Sequence, residues 1–268
     1  MRIVKVPGIN AFGKTQGTER AGDALIEELE NLYTNEKGMP IDVGGLGIAE
    51  IEIDKEDLEK QAKTIQVESL REIEANQKVI FLGGDHSISY SIGKSFLQNC
   101  RENREEPCLI VFDSHPDCMP VLKEPSHEEW LRALIEEGFP AENILLIGIR
   151  NSDEIELKYI KEKKIRVISI NNLNNDIEGV TDAITEFSKG RALYVSFDID
   201  VVDPVFAPST GYCEIGGLSS RQAVYIMSRL SLVKNLKILD IVEINSEQDL
   251  KKERITIKLG AKILGEFL

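Results

Sequence analysis

At 268 residues and 42% hydrophobic content the chain can fill one large core, and its length suits a single α/β domain over residues 1–268. A net charge of −14, with no Lys/Arg block, excludes a nucleic-acid backbone as partner, because such a surface needs clustered positive charge. No stretch approaches the ~20 apolar residues of a membrane span and MRIVKVPGIN carries no cleavage site, so no membrane partner and a cytoplasmic location are expected.

In chain order, short apolar, β-branched runs recur: RIVKV (2–6), IAEIEI (48–53), KVIFL (78–82), CLIVFD (108–113), NILLIGI (143–149), IRVISI (165–170), ALYVSFD (192–198) and LKILDIVE (236–243). Amphipathic stretches separate most of them. The spacing predicts helices opening at Thr18, at Asp57 and at Ser126, the last with Glu129 three residues on as a capping box. Residues 33–48 read as a surface loop. Strand alternating with helix implies parallel pairing, hence an α/β fold of three α/β/α layers around a mostly parallel eight-stranded sheet. The cysteines at 100, 108, 118 and 213 show no CxxC spacing and read as buried free thiols.

Ligands of open parallel sheets bind beyond the carboxyl ends of the strands. There the chain places Gly83-Gly84-Asp85-His86-Ser87, Asp113-Ser-His115-Pro-Asp117, Asp198-Ile-Asp200 and Glu243. If extended geometry continues past Phe112, Asp113, His115 and Asp117 emerge on one face. All three histidines, His86, His115 and His127, fall near this edge. Two like charges about 4 Å apart repel by roughly 4 kcal/mol at an effective dielectric near 20, so these carboxylates require a cation. The nearest basic residues, Lys123 and Arg150, lie outside the motifs. Carboxylates with imidazoles suit a hard to borderline divalent ion, and six ligands suit a pair of ions with shared carboxylates, which lowers the pKa of a bridging water. Turn chemistry is the competing reading of each motif alone.

GGDHS, FDSHPD, SFDIDVVDPVFAPSTG and VEIN resemble the signature blocks of the ureohydrolase superfamily (arginase, agmatinase, formimidoylglutamase), in its order, over residues 80–245. The resemblance implies two Mn2+ per subunit. One ion would be held by His86, Asp113, Asp117 and Asp198, the other by His115, Asp113, Asp198 and Asp200. Glu243 matches the acid that pairs with the substrate's cationic group, and His127 a cleft histidine that could shuttle protons or sit at the surface. The implied reaction is hydrolysis of a C–N bond in a small cationic guanidino or amidine substrate, giving urea and an amine from a guanidine. Family members are often homo-oligomers, trimers or hexamers, which the resemblance suggests here as well. Departures follow Asp117 (Cys118-Met119-Pro120), His127 (Glu128-Glu129), Gly211 (Tyr212-Cys213-Glu214) and Asn245 (Ser246). They favour an agmatine-like amine over arginine. The same site with another pocket would cleave a formimino or amide-like C–N bond, and loops that barred substrate would leave a metal-binding, non-catalytic homologue.

Overall fold

In the computed structural model, which describes residues 1–10, 13–54 and 56–268, each apolar run contributes one strand. These are β1 (Arg2–Val6), β2 (Gly47–Glu50), β3 (Val79–Gly83), β4 (Pro107–Phe112), β5 (Ile144–Ile147), β6 (Arg166–Ile168), β7 (Ala192–Asp198) and β8 (Leu236–Val242). They form one sheet in the order β2-β1-β3-β8-β7-β4-β5-β6, parallel at every junction. The runs are continuous rather than alternating because both faces are covered. In β4, Cys108, Ile110 and Phe112 enter one core while Leu109 and Val111 enter the other.

The helices are α1 (Ala21–Leu29), α2 (Leu58–Ala75), α3 (Ile88–Asn103), α4 (Trp130–Glu136), α5 (Glu154–Lys163), α6 (Ile170–Asn175), α7 (Ile177–Phe187), α8 (Ser220–Leu230), α9 (Ser246–Asp249) and α10 (Ile255–Gly265). The first core takes Leu25 of α1, Leu173 of α6, Ile184 of α7, Met227 of α8 and Ile257 of α10. Opposite it lie Ile65 of α2, Phe96 of α3, Leu134 of α4 and Ile160 of α5. Three α/β/α layers result. Among the described residues no helix is long and apolar enough to cross a membrane.

Two helix starts differ from expectation. Thr18 closes a preceding turn, its hydroxyl donating to the Thr15 carbonyl (2.8 Å), and α1 begins only at Ala21. Ser126 donates to the Glu129 carboxylate (2.6 Å) and accepts from the Glu128 amide, so a turn intervenes and α4 starts at Trp130. Asp57 caps α2 as expected, accepting from the Lys60 amide. Residues 33–48 contain one short helical turn, Val43–Gly45, and a bridge between Thr34 and Pro40. Cys100, Cys108 and Cys118 are buried thiols, whereas Cys213 is exposed because its loop lies at the surface.

The register sets up the site. Leu82, Ile241, Phe197 and Phe112 pair in one row across β3, β8, β7 and β4. The residues just beyond that row therefore leave four adjacent strands at one level. Gly84 is required at this edge, since a Cβ there would lie 1.9 Å from the Gly8 carbonyl oxygen.

Candidate metal centre and its pocket

Every residue singled out at the strand ends lies on this edge, and the chain brings most of them into contact. His86 Nδ1 lies 3.0 Å from Asp113 Oδ2, 3.0 Å from Asp117 Oδ2 and 3.2 Å from Asp198 Oδ2. His115 Nδ1 lies 3.0 Å from Asp200 Oδ2 and 3.6 Å from Asp113 Oδ1. Two groups have the geometry to hold a cation: His86, Asp113 and Asp198, and Asp113, His115 and Asp200. Asp113 belongs to both.

The convergence does not come from strand alternation. β4 ends at Phe112, and Asp117 sits in the left-handed region at φ 50°. Instead Asp113 Oδ1 accepts the His115 amide (2.6 Å), a turn that leaves Oδ2 facing His86. Asp198 repeats the device: Oδ1 accepts the Asp200 amide (2.7 Å) while Oδ2 faces His86. Each carboxylate thus spends one oxygen on the turn and faces His86 with the other, and in Asp113 the turn oxygen is also the one nearest His115 Nδ1. Positive φ at Asp117 and at Glu243 (64°) puts strained backbone at the same edge.

Around these groups are supports that the motifs do not reveal. His86 Nε2 lies 2.9 Å from Ser196 Oγ, which donates to buried Asp240 (2.7 Å); Asp240 also accepts from Ser89 (2.7 Å) and Tyr194. Because the serine proton goes to Asp240, Ser196 must accept from Nε2–H, so Nδ1 is the ring nitrogen turned to the three carboxylates. Asp240 reads in the sequence only as a polar interruption of a buried strand, and Ser196 as the opening residue of SFDIDVVDPVFAPSTG with no role of its own. Trp130 donates to Asp117 Oδ2 (2.7 Å). Asp85, the remaining acid of its motif, is not at the centre. It accepts from Asn10, Thr15 and Ser87, tying the opening segment to the β3 edge.

Arg150 comes closer than its place in the sequence suggests. Its Nη1 and Nη2 donate to the carbonyls of Gly148, Asp200, Val201 and Glu214, so they bind backbone and make no ion pair with the carboxylate oxygens among the described residues.

The electrostatics follow from burial and crowding. Burial, then Asp113, pushes Asp117 up to about 8. Burial, then the Asp200 and Asp113 charges, raises Asp198 well above the carboxylate range, and burial with Asp113 raises Asp200. Burial followed by Asp198 and Asp85 does the same to Glu243. Asp113 alone goes down, His115 and His86 outweighing its burial. Burial opposes charge on both imidazoles, but the carboxylates prevail: His86 is raised well above its ordinary value and His115 to about 12. The cluster therefore holds protons where it lacks other positive charge.

A divalent cation fits these residues on two grounds. His86 Nδ1 and Asp113 Oδ2 are buried and make no hydrogen bond among the described residues, although they face each other at 3.0 Å. The donor set of imidazole nitrogen and carboxylate oxygen suits a hard to borderline ion.

Glu243 folds back under β3: its Oε1 accepts the His86 amide (2.8 Å), and Oε2 is buried without a hydrogen bond among the described residues. A void of about 20 Å³ is lined by Glu243, Asp198, Asp200, His115, His127 and Tyr212. His127 is buried, not a surface histidine, because the turn before α4 points it into the void; burial lowers its pKa. Above lies a cavity of about 260 Å³ that shares His115, Asp117, His127 and Tyr212 and adds Glu128, Asn151, Asp153 and Glu156. Among the described residues lining it none is Lys or Arg. Tyr212 lines both spaces, its ring 5.4 Å from that of His127 and 6.3 Å from that of His115. Gly13, at φ 66°, leaves room for the tyrosine hydroxyl, which a Cβ would meet at 2.0 Å.

Comparison with known proteins gives a consistent picture. The model of the family described as Arginase matches residues 1–268. A relative from Thermus thermophilus, described as N(1)-aminopropylagmatine ureohydrolase, is 26% identical over 98% of this chain and 88% of its own. An arginase of Staphylococcus aureus is 29% identical over 88% of this chain and 84% of its own. Among solved structures, the proclavaminate amidino hydrolase of Streptomyces clavuligerus superposes with a TM-score of 0.85 at 26% identity, covering 99% of this chain and 89% of that one.

Proposed function

The chain belongs to the arginase family, metal-dependent hydrolases of amidino and guanidino C–N bonds, and from that premise we propose a binuclear manganese-dependent amidinohydrolase acting on a small guanidino amine. The observation that carries the reading is the shared Asp113, with His86 and its carboxylates on one side and His115 with Asp200 on the other. In this reading His86, Asp113, Asp117 and Asp198 hold one ion, and His115, Asp113, Asp198 and Asp200 the other. Two such ions, when bound, supply Lewis acidity and lower the pKa of a water.

The chain's own residues supply the rest. Glu243 Oε2, without a hydrogen bond among the described residues, offers a buried acceptor beside the void, where a guanidinium would satisfy it and favour the ionised carboxylate. His127, whose pKa burial lowers, is placed on the wall shared by void and cavity to accept a proton from the attacking water and pass it on to the departing amine. Tyr212 and His127 narrow the passage and limit water around the reacting carbon.

The cavity supports an agmatine-like amine ahead of arginine. Beside the proposed ligand Asp117 its wall presents Glu128, Asp153 and Glu156, and no basic lining residue among those described. A second ammonium group is attracted there, whereas an α-carboxylate meets like charge. The Thermus relative, by its name a ureohydrolase of an aminopropylated agmatine, is in keeping with a polyamine-like substrate. Urea release over a panel of guanidines, with manganese added, tests the proposal: agmatine-like amines are expected to turn over ahead of arginine. Ammonia or formamide without urea would point to a formimino bond instead, and no turnover would contradict the proposal. Assembly as a trimer or hexamer belongs to the same reading, and a monomer by light scattering would count against it.

A further inference from the structure

The two imidazoles of the centre are supported in different ways. His86 passes its Nε2 proton into the buried Ser196 and Asp240 pair. His115 turns Nδ1 toward Asp200 and Asp113, and its Nε2 faces outward to Glu214 Oε1 at 3.5 Å. Nothing in the motif that contains His115 anticipates that carboxylate. It comes from the loop that carries Tyr212, two residues further on.

Glu214 is held in place from two directions. Asn151 Nδ2 donates to the same Oε1 at 2.7 Å. Arg150 Nη2 donates to the Glu214 carbonyl and to the Asp200 carbonyl, each at 2.7 Å. One guanidinium therefore fixes the backbone of Glu214 relative to that of Asp200, which also flanks His115. A carboxylate at the far nitrogen of an imidazole favours the tautomer with its proton there, leaving the near nitrogen's lone pair for a metal. Without it, Nδ1 could carry the proton instead, satisfied by Asp200 at 3.0 Å and Ser114 Oγ at 3.0 Å.

We propose that Glu214, held by Asn151 and Arg150, is a positioning residue that fixes the tautomer and orientation of His115 for the second of the two divalent ions. The inference rests on the two-metal reading above. It also gives the loop carrying Tyr212 a second role: the segment that narrows the passage also sets one ligand of the centre.

The test is a titration of chelator-treated full-length protein with manganese(II) alone, comparing wild type, Glu214→Ala and Glu214→Gln. Calorimetry reads the affinity of each equivalent, and electron paramagnetic resonance distinguishes a spin-coupled manganese pair from single ions. Wild type is expected to take up two equivalents and show the pair. In Glu214→Ala one equivalent keeps its affinity while the other weakens roughly tenfold to a hundredfold, so the pair signal appears only at higher manganese. Glu214→Gln, which keeps an acceptor but no charge, falls between. Melting curves of the chelated proteins are expected to coincide, since Glu214 lies on a partly exposed loop. Wild-type affinities for both ions in Glu214→Ala would overturn the inference, as would equal weakening of both. A wild type that never shows the pair would overturn the two-metal reading, and this inference with it.

Discussion

The floor of the site and its rim are built on opposite principles. Floor residues His86, Asp113, Asp198 and Glu243 are at most 4% exposed, leave adjacent strands at one level and are locked by backbone turns. Rim residues Glu128, Tyr212 and Glu214 sit on loops and are only partly buried. In the proposed reading the sheet carries the chemistry and the loops the selectivity. Strand ends locked across four strands can hold several like charges at fixed distances, which a loop cannot do alone. Loops can change without disturbing that frame.

Breaking the floor has the largest expected effect. Asp113→Ala removes the carboxylate common to both groups and is expected to abolish urea release and uptake of both ions, checked by activity and metal analysis. Retention of one tightly held ion would show that Asp113 is not shared. Glu243→Gln leaves the metal donors in place and removes one charge-assisted contact of about 1.5–3 kcal/mol, so kcat/KM should fall roughly tenfold to a hundredfold with metal content unchanged. Loss of metal in that variant would assign Glu243 to the ion rather than the substrate.

Much of the floor is legible in the sequence for a physical reason. Asp113 and Asp198 are turn formers and, in the proposed reading, also ligand donors, so two separate demands select the same residue type at the same spacing. The eight strands are legible because burial on both faces writes them as continuous apolar runs. What stays hidden is tertiary. Asp240 in β8 reads as a break in a buried strand until the fold sets it beside Ser196, Ser89 and Tyr194. Glu214 is 99 residues from His115, and Arg150 and Asn151 bring the two together. The late starts of α1 and α4 arise because Thr18 and Ser126 spend their hydroxyls on turns closed by tertiary packing.

Acidity sharpens the comparison without mutation. Asp117 is raised to about 8 in the folded chain from an ordinary value near 4, so the fold binds its proton more tightly and loses stability as pH rises through that interval. His115, raised to about 12 by Asp113 and Asp200 against its burial, acts in the same direction above its ordinary value near 6.5. The depressed Asp113 matters only below about pH 4. Chelator-treated protein is therefore expected to lose at least roughly 5 °C in Tm between pH 5 and pH 8, and manganese to flatten that slope. Equal slopes with and without manganese would show that the cation does not replace those protons.

Changes at the rim should be smallest. Glu128→Gln removes one partly exposed charge and is expected to lower kcat/KM for an agmatine-like amine by up to about fivefold, in proportion to a pair worth roughly 0.2–1 kcal/mol, with arginine unaffected or improved. A comparable loss for both substrates would place Glu128 outside the recognition of the distal amine.

The most direct test of the central claim, that two divalent ions share Asp113, is anomalous diffraction at the manganese edge from crystals grown with manganese. Two peaks are predicted, roughly 3.5–4 Å apart, one beside His86 and one beside His115, with Asp113 in contact with both. A single peak, or two peaks with Asp113 on only one of them, would contradict the account.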